Sequence, residues 1–108
     1  VLGLKVDGEK TVGENIADLG AINAIVNVAK SKGANNDELK MLFSSYASLW
    51  VSEYIESYEK LLLLSDMHSP NSIRVNAVLS SCDTFYEVYN IDKTDLMYVE
   101  KENRVGIW

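Results

Sequence analysis

From Val12 to Ala29 the apolar residues fall at Val12, Ile16, Leu19, Ile22, Val26 and Ala29, three or four positions apart. That spacing follows the 3.6-residue turn of an α-helix and does not suit a strand, whose faces alternate at every second residue. The segment closes on Lys30-Ser31-Lys32-Gly33, a basic last turn followed by a glycine stop, so a long helix anchors whatever fold the chain adopts. Ahead of it, Val1 to Lys10 contains Gly3 and Asp7-Gly8 and reads as a short extended or turning lead-in.

The helical period returns downstream. Asn36 is placed to cap a second helix that carries Leu39, Leu42, Phe43, Tyr46, Leu49 and Trp50 on one side and runs to about Tyr54. "SYEKLLLLS" predicts a third, shorter helix, and "SDMHSPNS" a break. Ser69 followed by Pro70 reads as an N-cap with proline at the first helical position, opening a fourth helix that turns Ile73, Ala77 and Val78 inward. Cys82 or Asp83 opens a fifth through Tyr89, and beyond Asn90 no period is sustained, so the tail is expected to be irregular with apolar anchors. The expected fold is all-α, residues 1–108 forming one piece with no linker and no internal repeat.

Composition removes several functions. Sixteen acidic residues against ten basic give a net charge of -6, which repels phosphate backbones, so no nucleic-acid partner is expected. The run Leu61 to Leu64 falls far short of the roughly 20 apolar residues that span a bilayer, and no basic-then-apolar leader opens the chain. Cys82 is the one cysteine, which excludes an internal disulfide or a CxxC site and leaves a small, partly buried apolar role. The chain starts at Val1 without methionine, which points to a processed product or an excised fragment.

Three polar features could carry chemistry. Thr11-x-x-Glu14 has the form of a capping box, and Asp18, four residues on, stacks over Glu14 on one helix face. Two carboxylates so placed repel one another unless a cation or a donor lies between them. Asp18 is flanked by Ala17 and Leu19 of the packed face, where an unpartnered aspartate is costly. His68 is the single histidine, in a loop ahead of Ser-Pro, and Arg74 falls about one turn into the helix that Pro70 begins. A catalytic zinc takes three protein ligands, and one histidine cannot form HExxH. From residues alone the chain is an acidic helical domain, and a non-catalytic helical interaction module remains open.

Literal strings go further. "GENIADLG" at Gly13 to Gly20, "DMHSPNSIRV" at Asp66 to Val75 and the closing "NRVGIW" resemble, in this order, the signatures of the neprilysin-like zinc metallopeptidases, in particular bacterial oligoendopeptidases of the PepO type. "LFSSYASLW" at Leu42 to Trp50 is similar to that family's aromatic helix leading to a pocket tryptophan. The resemblance implies the C-terminal helical part of a zincin (gluzincin-type) catalytic domain, a partner for the HExxH-bearing part that the full-length enzyme supplies. It implies that Glu14 is the third zinc ligand and that Asp18 orients a zinc-bound histidine, in keeping with the outer carboxylates that hold metal-ligating imidazoles.

By the same resemblance His68 stabilises the oxyanion of the tetrahedral intermediate, with Asp66 the acid beside it. Arg74 hydrogen-bonds the backbone of a peptide substrate, and Leu49 and Trp50 line the pocket for the residue after the scissile bond. Zinc is the implied cofactor of the full-length enzyme; this chain alone is expected to be inactive and to bind no zinc tightly. Gly20 is followed by Ala21 where the family often has a second glycine, and Ile73 stands where an aromatic residue commonly precedes the arginine. The tail lacks the cysteine of extracellular animal members, so a bacterial protein is expected, with its location, cytoplasm or cell envelope, left open. Apolar surface is expected to stay exposed along the Ile16 and Trp50 faces, where the rest of the domain would dock.

Overall fold

A computed structural model of the chain describes residues 1–107. Five helices follow in order, α1 (Gly8–Ser31), α2 (Asn36–Leu49), α3 (Glu56–Ser65), α4 (Asn71–Leu79) and α5 (Asp83–Tyr89), then a 3-10 turn at Lys101–Asn103. No strand occurs among the described residues, and the all-α expectation is borne out.

The N-cap of α1 lies four residues before the expected one. Asp7 is the N-cap, its carboxylate accepting from the Lys10 amide at 3.1 Å. Thr11 therefore lies inside the first turn and does not form a capping box with Glu14; its hydroxyl donates to Asp7 O at 2.9 Å. An aspartate ahead of the helix competes well for the free amides, which leaves both Thr11 and Glu14 for other work. At the far end Gly33 adopts φ +84, the left-handed conformation in which a side chain is strained, so the glycine stop is as expected.

The buried stripe of α1 changes character along its length. Thr11, Asp18, Ile22 and Val26 are its buried residues, polar in the first half and apolar in the second. Val12 and Ala17 are exposed and Ile16 is 40% exposed, so the apolar spacing of the first two turns marks an outer face and not the internal one. That is the exposure expected of the Ile16 face.

Helix α2 is capped by Asn35, one residue earlier than Asn36, in a complete capping box: the Glu38 amide donates to Asn35 Oδ1 and the Asn35 amide to Glu38 Oε2, both at 2.9 Å. It stops at Leu49 and not near Tyr54. Val51 to Ile55 are all exposed, and a helix that buries nothing gains little from continuing. Helix α4 starts after Pro70, which is its N-cap in place of Ser69; Val78 and Leu79 are buried, whereas Ile73 is half-buried and Ala77 exposed.

The core is assembled from the second half of α1 with α2, the end of α4 and α5: Ile22, Val26, Leu39, Phe43, Val78, Leu79, Cys82, Phe85, Tyr86 and Val88. Phe43 meets Phe85 edge to face at 5.6 Å between ring centroids, the favoured geometry of aromatic pairs. Cys82 is fully buried, deeper than expected, and burial pushes its thiol above the usual range. The tail is fastened through Tyr86, whose hydroxyl donates to Ser80 O at 2.7 Å and accepts from the Val99 amide at 2.9 Å, while the Arg104 guanidinium stacks 3.4 Å over its ring. Helix α3 contributes no buried residue. Lys10 Nζ donates to Leu63 O at 2.9 Å, and the segment ahead of α3 is joined to α4 by Asn71 Nδ2 donating to Ser52 Oγ at 2.6 Å. No helix of the described residues is long and apolar enough to cross a membrane.

Candidate active site

The first half of α1, the loop Asp66 to Pro70 and the start of α4 meet along one seam. Glu14 and His68, 54 positions apart, approach with His68 Nε2 3.4 Å from Glu14 Oε2. The other ring nitrogen, Nδ1, lies 2.7 Å from Asp66 Oδ1, and the His68 amide donates to that same oxygen at 2.8 Å. An ionised carboxylate can only accept, so Nδ1 carries the proton of this contact and Nε2 is the nitrogen left to face Glu14 or a ligand. These bonds, the amide's first, hold the Asp66 carboxyl below the usual carboxylate range.

Asp18 and Arg74 form the second tie across the seam. Arg74 Nε donates to Oδ2 at 2.7 Å and Nη2 to Oδ1 at 2.8 Å, a two-pronged pair whose side chains are only 13% and 11% exposed. The bond to Asp18 raises the Arg74 pKa further above its ordinary value. The donor that the Asp18 carboxylate needs is thus Arg74, which is not an ordinary surface charge. Each Asp18 oxygen keeps a second lone pair, so the fork does not exhaust its accepting capacity. Arg74 is also pressed against Trp50, its guanidinium carbon 3.7 Å from the ring centroid, and its carbonyl accepts from the Tyr46 hydroxyl at 2.8 Å. Burial, followed by the nearby Asp18 charge, raises the Tyr46 hydroxyl's pKa.

Beside the seam opens a cleft of about 840 Å³ whose wall includes Leu49, Trp50, His68, Arg74, Leu62 and Leu63. The pocket pair Leu49 and Trp50, the imidazole and the guanidinium therefore face one space, while Glu14 approaches from α1 through His68 and Asp18 lies behind Arg74. Leu49 is exposed and Trp50 half-buried, and Trp50 Nε1 is buried without a hydrogen-bond partner among the described residues.

A metal fits this chain only in part. Glu14 provides one half-exposed carboxylate, a suitable oxygen donor for zinc, but no three His, Cys, Asp or Glu side chains cluster as a ligand set among the described residues. The described residues thus suit at most one corner of a zinc site.

Sequence reasoning missed Tyr46, Asn15 and Ser69 as parts of the seam. Ser69 Oγ donates to Asn15 Oδ1 at 2.7 Å, and Asn15 Nδ2 donates to Thr11 Oγ1 at 3.3 Å. The signal was the polar spacing Thr11, Asn15, Asp18, which continues as Ile22 and Val26 on one helix face.

The model of peptidase family M13 matches residues 2–105. The neutral endopeptidase of Lactococcus lactis subsp. lactis (strain IL1403) is 36% identical over 102 residues, covering 94% of this chain and 16% of that protein. The neutral endopeptidase of Lactobacillus helveticus is 35% identical over 104 residues, 96% of this chain and 16% of that protein. Human neprilysin is 29% identical over 114 residues, 95% of this chain and 15% of that protein. The chain thus spans about a sixth of the length of the curated relatives it matches. No solved structure matches it.

Proposed function

Because the chain belongs to peptidase family M13, we propose that it is the C-terminal helical part of the catalytic domain of a zinc-dependent endopeptidase that hydrolyses oligopeptides. Glu14 would hold the metal together with two imidazoles from an HExxH helix elsewhere in the full-length protein. Zinc, when bound, polarises the scissile carbonyl and lowers the pKa of its water. With both ring nitrogens protonated, His68 would donate from Nε2 to the oxygen that gains charge as the carbonyl becomes tetrahedral, while Asp66, accepting from Nδ1, keeps the ring turned for that contact. Arg74 holds the substrate backbone, and Leu49 and Trp50 accept the side chain after the scissile bond. Asp18 steadies Arg74 directly and has lone pairs to spare for a zinc-bound histidine.

The observation that supports this reading best is the approach of His68 Nε2 to within 3.4 Å of Glu14 Oε2, since a metal ligand and an oxyanion donor must serve one carbonyl. In the full-length protein, Glu14→Ala is expected to lose bound zinc and, with it, peptide hydrolysis. His68→Ala is expected to retain zinc and lower kcat by about 10²–10³ with little change in KM. Zinc content by atomic absorption and steady-state hydrolysis of a fluorogenic peptide read both. Unchanged zinc and activity in Glu14→Ala would remove it from the ligand set. The isolated chain is expected to hydrolyse nothing and to bind no zinc at submicromolar concentration, having one candidate ligand in place of three.

A further inference from the structure

The two residues that face one another at the candidate site, Glu14 and His68, are each followed by a residue of a second contact. Asn15 follows Glu14 and Ser69 follows His68, and Ser69 Oγ donates to Asn15 Oδ1 at 2.7 Å across 54 positions of sequence. We propose that the Ser69 hydroxyl and the Asn15 carboxamide are the positioning pair that fixes the His68 imidazole at its working distance from the Glu14 carboxylate. The proposal rests on the peptidase reading above and adds two residues that touch neither metal nor substrate.

The direction of every bond in the network is determined. The Thr11 hydroxyl has one proton and gives it to Asp7 O, so toward Asn15 it can only accept. Asn15 must then turn Nδ2 to Thr11 and Oδ1 to Ser69, and Ser69 must donate. Thr11 is 2% and Ser69 4% exposed, so water competes for neither hydroxyl. An acceptor left unpaired at such a place carries the desolvation penalty of the whole group.

Other ties do not do this work. Asp66 grips both the His68 amide and its ring, but all three groups belong to one loop, so they orient the imidazole within the loop and not toward α1. The Arg74 to Asp18 fork joins α4 to α1 six residues beyond His68. Ser69 is moreover diverted from the task its sequence suggests: α4 has no side-chain cap bond, and the hydroxyl ahead of Pro70 reaches across to α1. The loop is thus clamped one residue from the imidazole and α1 one residue from the carboxylate, in a setting where a displacement of about 1 Å costs roughly 10² in rate.

Ser69→Ala in the full-length enzyme tests the pair. Expected are unchanged zinc content, KM within about twofold and kcat lower by roughly tenfold, because the lost alignment matters only in the transition state. In chelator-treated, metal-free enzyme, hydrogen exchange at the amides of residues 66–69 is expected to quicken about tenfold. Ser69→Thr, which keeps a hydroxyl, is expected to restore both, and the double variant Ser69→Ala/Asn15→Ala to fall no lower in kcat than the worse single one. Wild-type kcat and exchange in Ser69→Ala, or losses that multiply in the double variant, overturn the pair.

If Ser69→Ala does not fold, Thr11→Val removes the acceptor that orients Asn15, together with the hydroxyl's bond to Asp7 O, and is expected to lower kcat about threefold with faster loop exchange; wild-type values of both there overturn the proposal equally. Glu14→Ala and His68→Ala, measured alongside, separate the two readings. Full activity in those variants sinks the peptidase site itself, whereas their inactivity beside an unaffected Ser69→Ala sinks only the pair.

Discussion

The most apolar run in the chain, Leu61 to Leu64 in α3, contains no buried residue, whereas Phe43 and Ile22, each followed by a polar residue, are 2% exposed. Helices α2 and α5, with the second half of α1, bury one continuous cluster; α3 and Val51 to Ile55 form a sparse wall held by a few hydrogen bonds. The difference shows that apolar content proposes a buried face and a partner element decides it. The cleft lies between that sparse wall and the end of α2 with the start of α4.

The sharpest break of this contrast is Phe43→Ala. Truncating a side chain at the centre of the core is expected to cost about 3–5 kcal/mol, read as a lower urea midpoint with an unchanged slope. Next is the seam between α1 and α4. Asp18→Ala leaves the Arg74 guanidinium half-desolvated without its partner and is expected to cost about 3 kcal/mol, while the double change Asp18→Leu/Arg74→Met costs clearly less than the single one. The urea titration that shows this also tells a charge tie from an apolar one.

Leu64→Ala is expected to change the stability of this chain by less than about 0.5 kcal/mol, because the side chain is 73% exposed. The same substitution in the full-length protein sharpens the comparison: a cost of about 2 kcal/mol or more there means that another part of that protein covers α3. The smallest effect is electrostatic. The Asp66 carboxyl is held below its ordinary value of 3.8, first by the His68 amide and then by its ring, so it binds its proton less readily folded than unfolded. The stability this adds is present above that ordinary value and is lost as pH falls through the lower folded one. Asp66→Asn is expected to flatten that acid limb slightly in urea titrations between about pH 5 and pH 2.5.

Local signals were legible and distant partners were not. Gly33 as a stop, the period of α2 and the breaks around α3 and α4 depend on neighbours within a turn or two, and the sequence carries them openly. The start of α1 was misjudged because Asp7 and Thr11 are both good caps and only the fold shows that Thr11 is needed inside. Val12 and Ile16 keep a helical period yet face outward, since an apolar stripe states what can be buried without naming what buries it. The family strings singled out Glu14, Asp18, His68 and Arg74, and the fold brings them to one seam. Their partnerships, Asp18 with Arg74 across 56 positions and Asn15 with Ser69 across 54, depend on the packing of α1 against α4, which no local pattern encodes.

The stack of Arg74 on Trp50 has an optical consequence. An indole's excited state redistributes charge across the ring, and a guanidinium 3.7 Å from its centre biases the energy of the emitted light. Any ligand that draws Arg74 away from the ring, or presses it closer, changes the colour at which Trp50 fluoresces. The cleft therefore carries its own reporter, set into the wall beside the cation it watches.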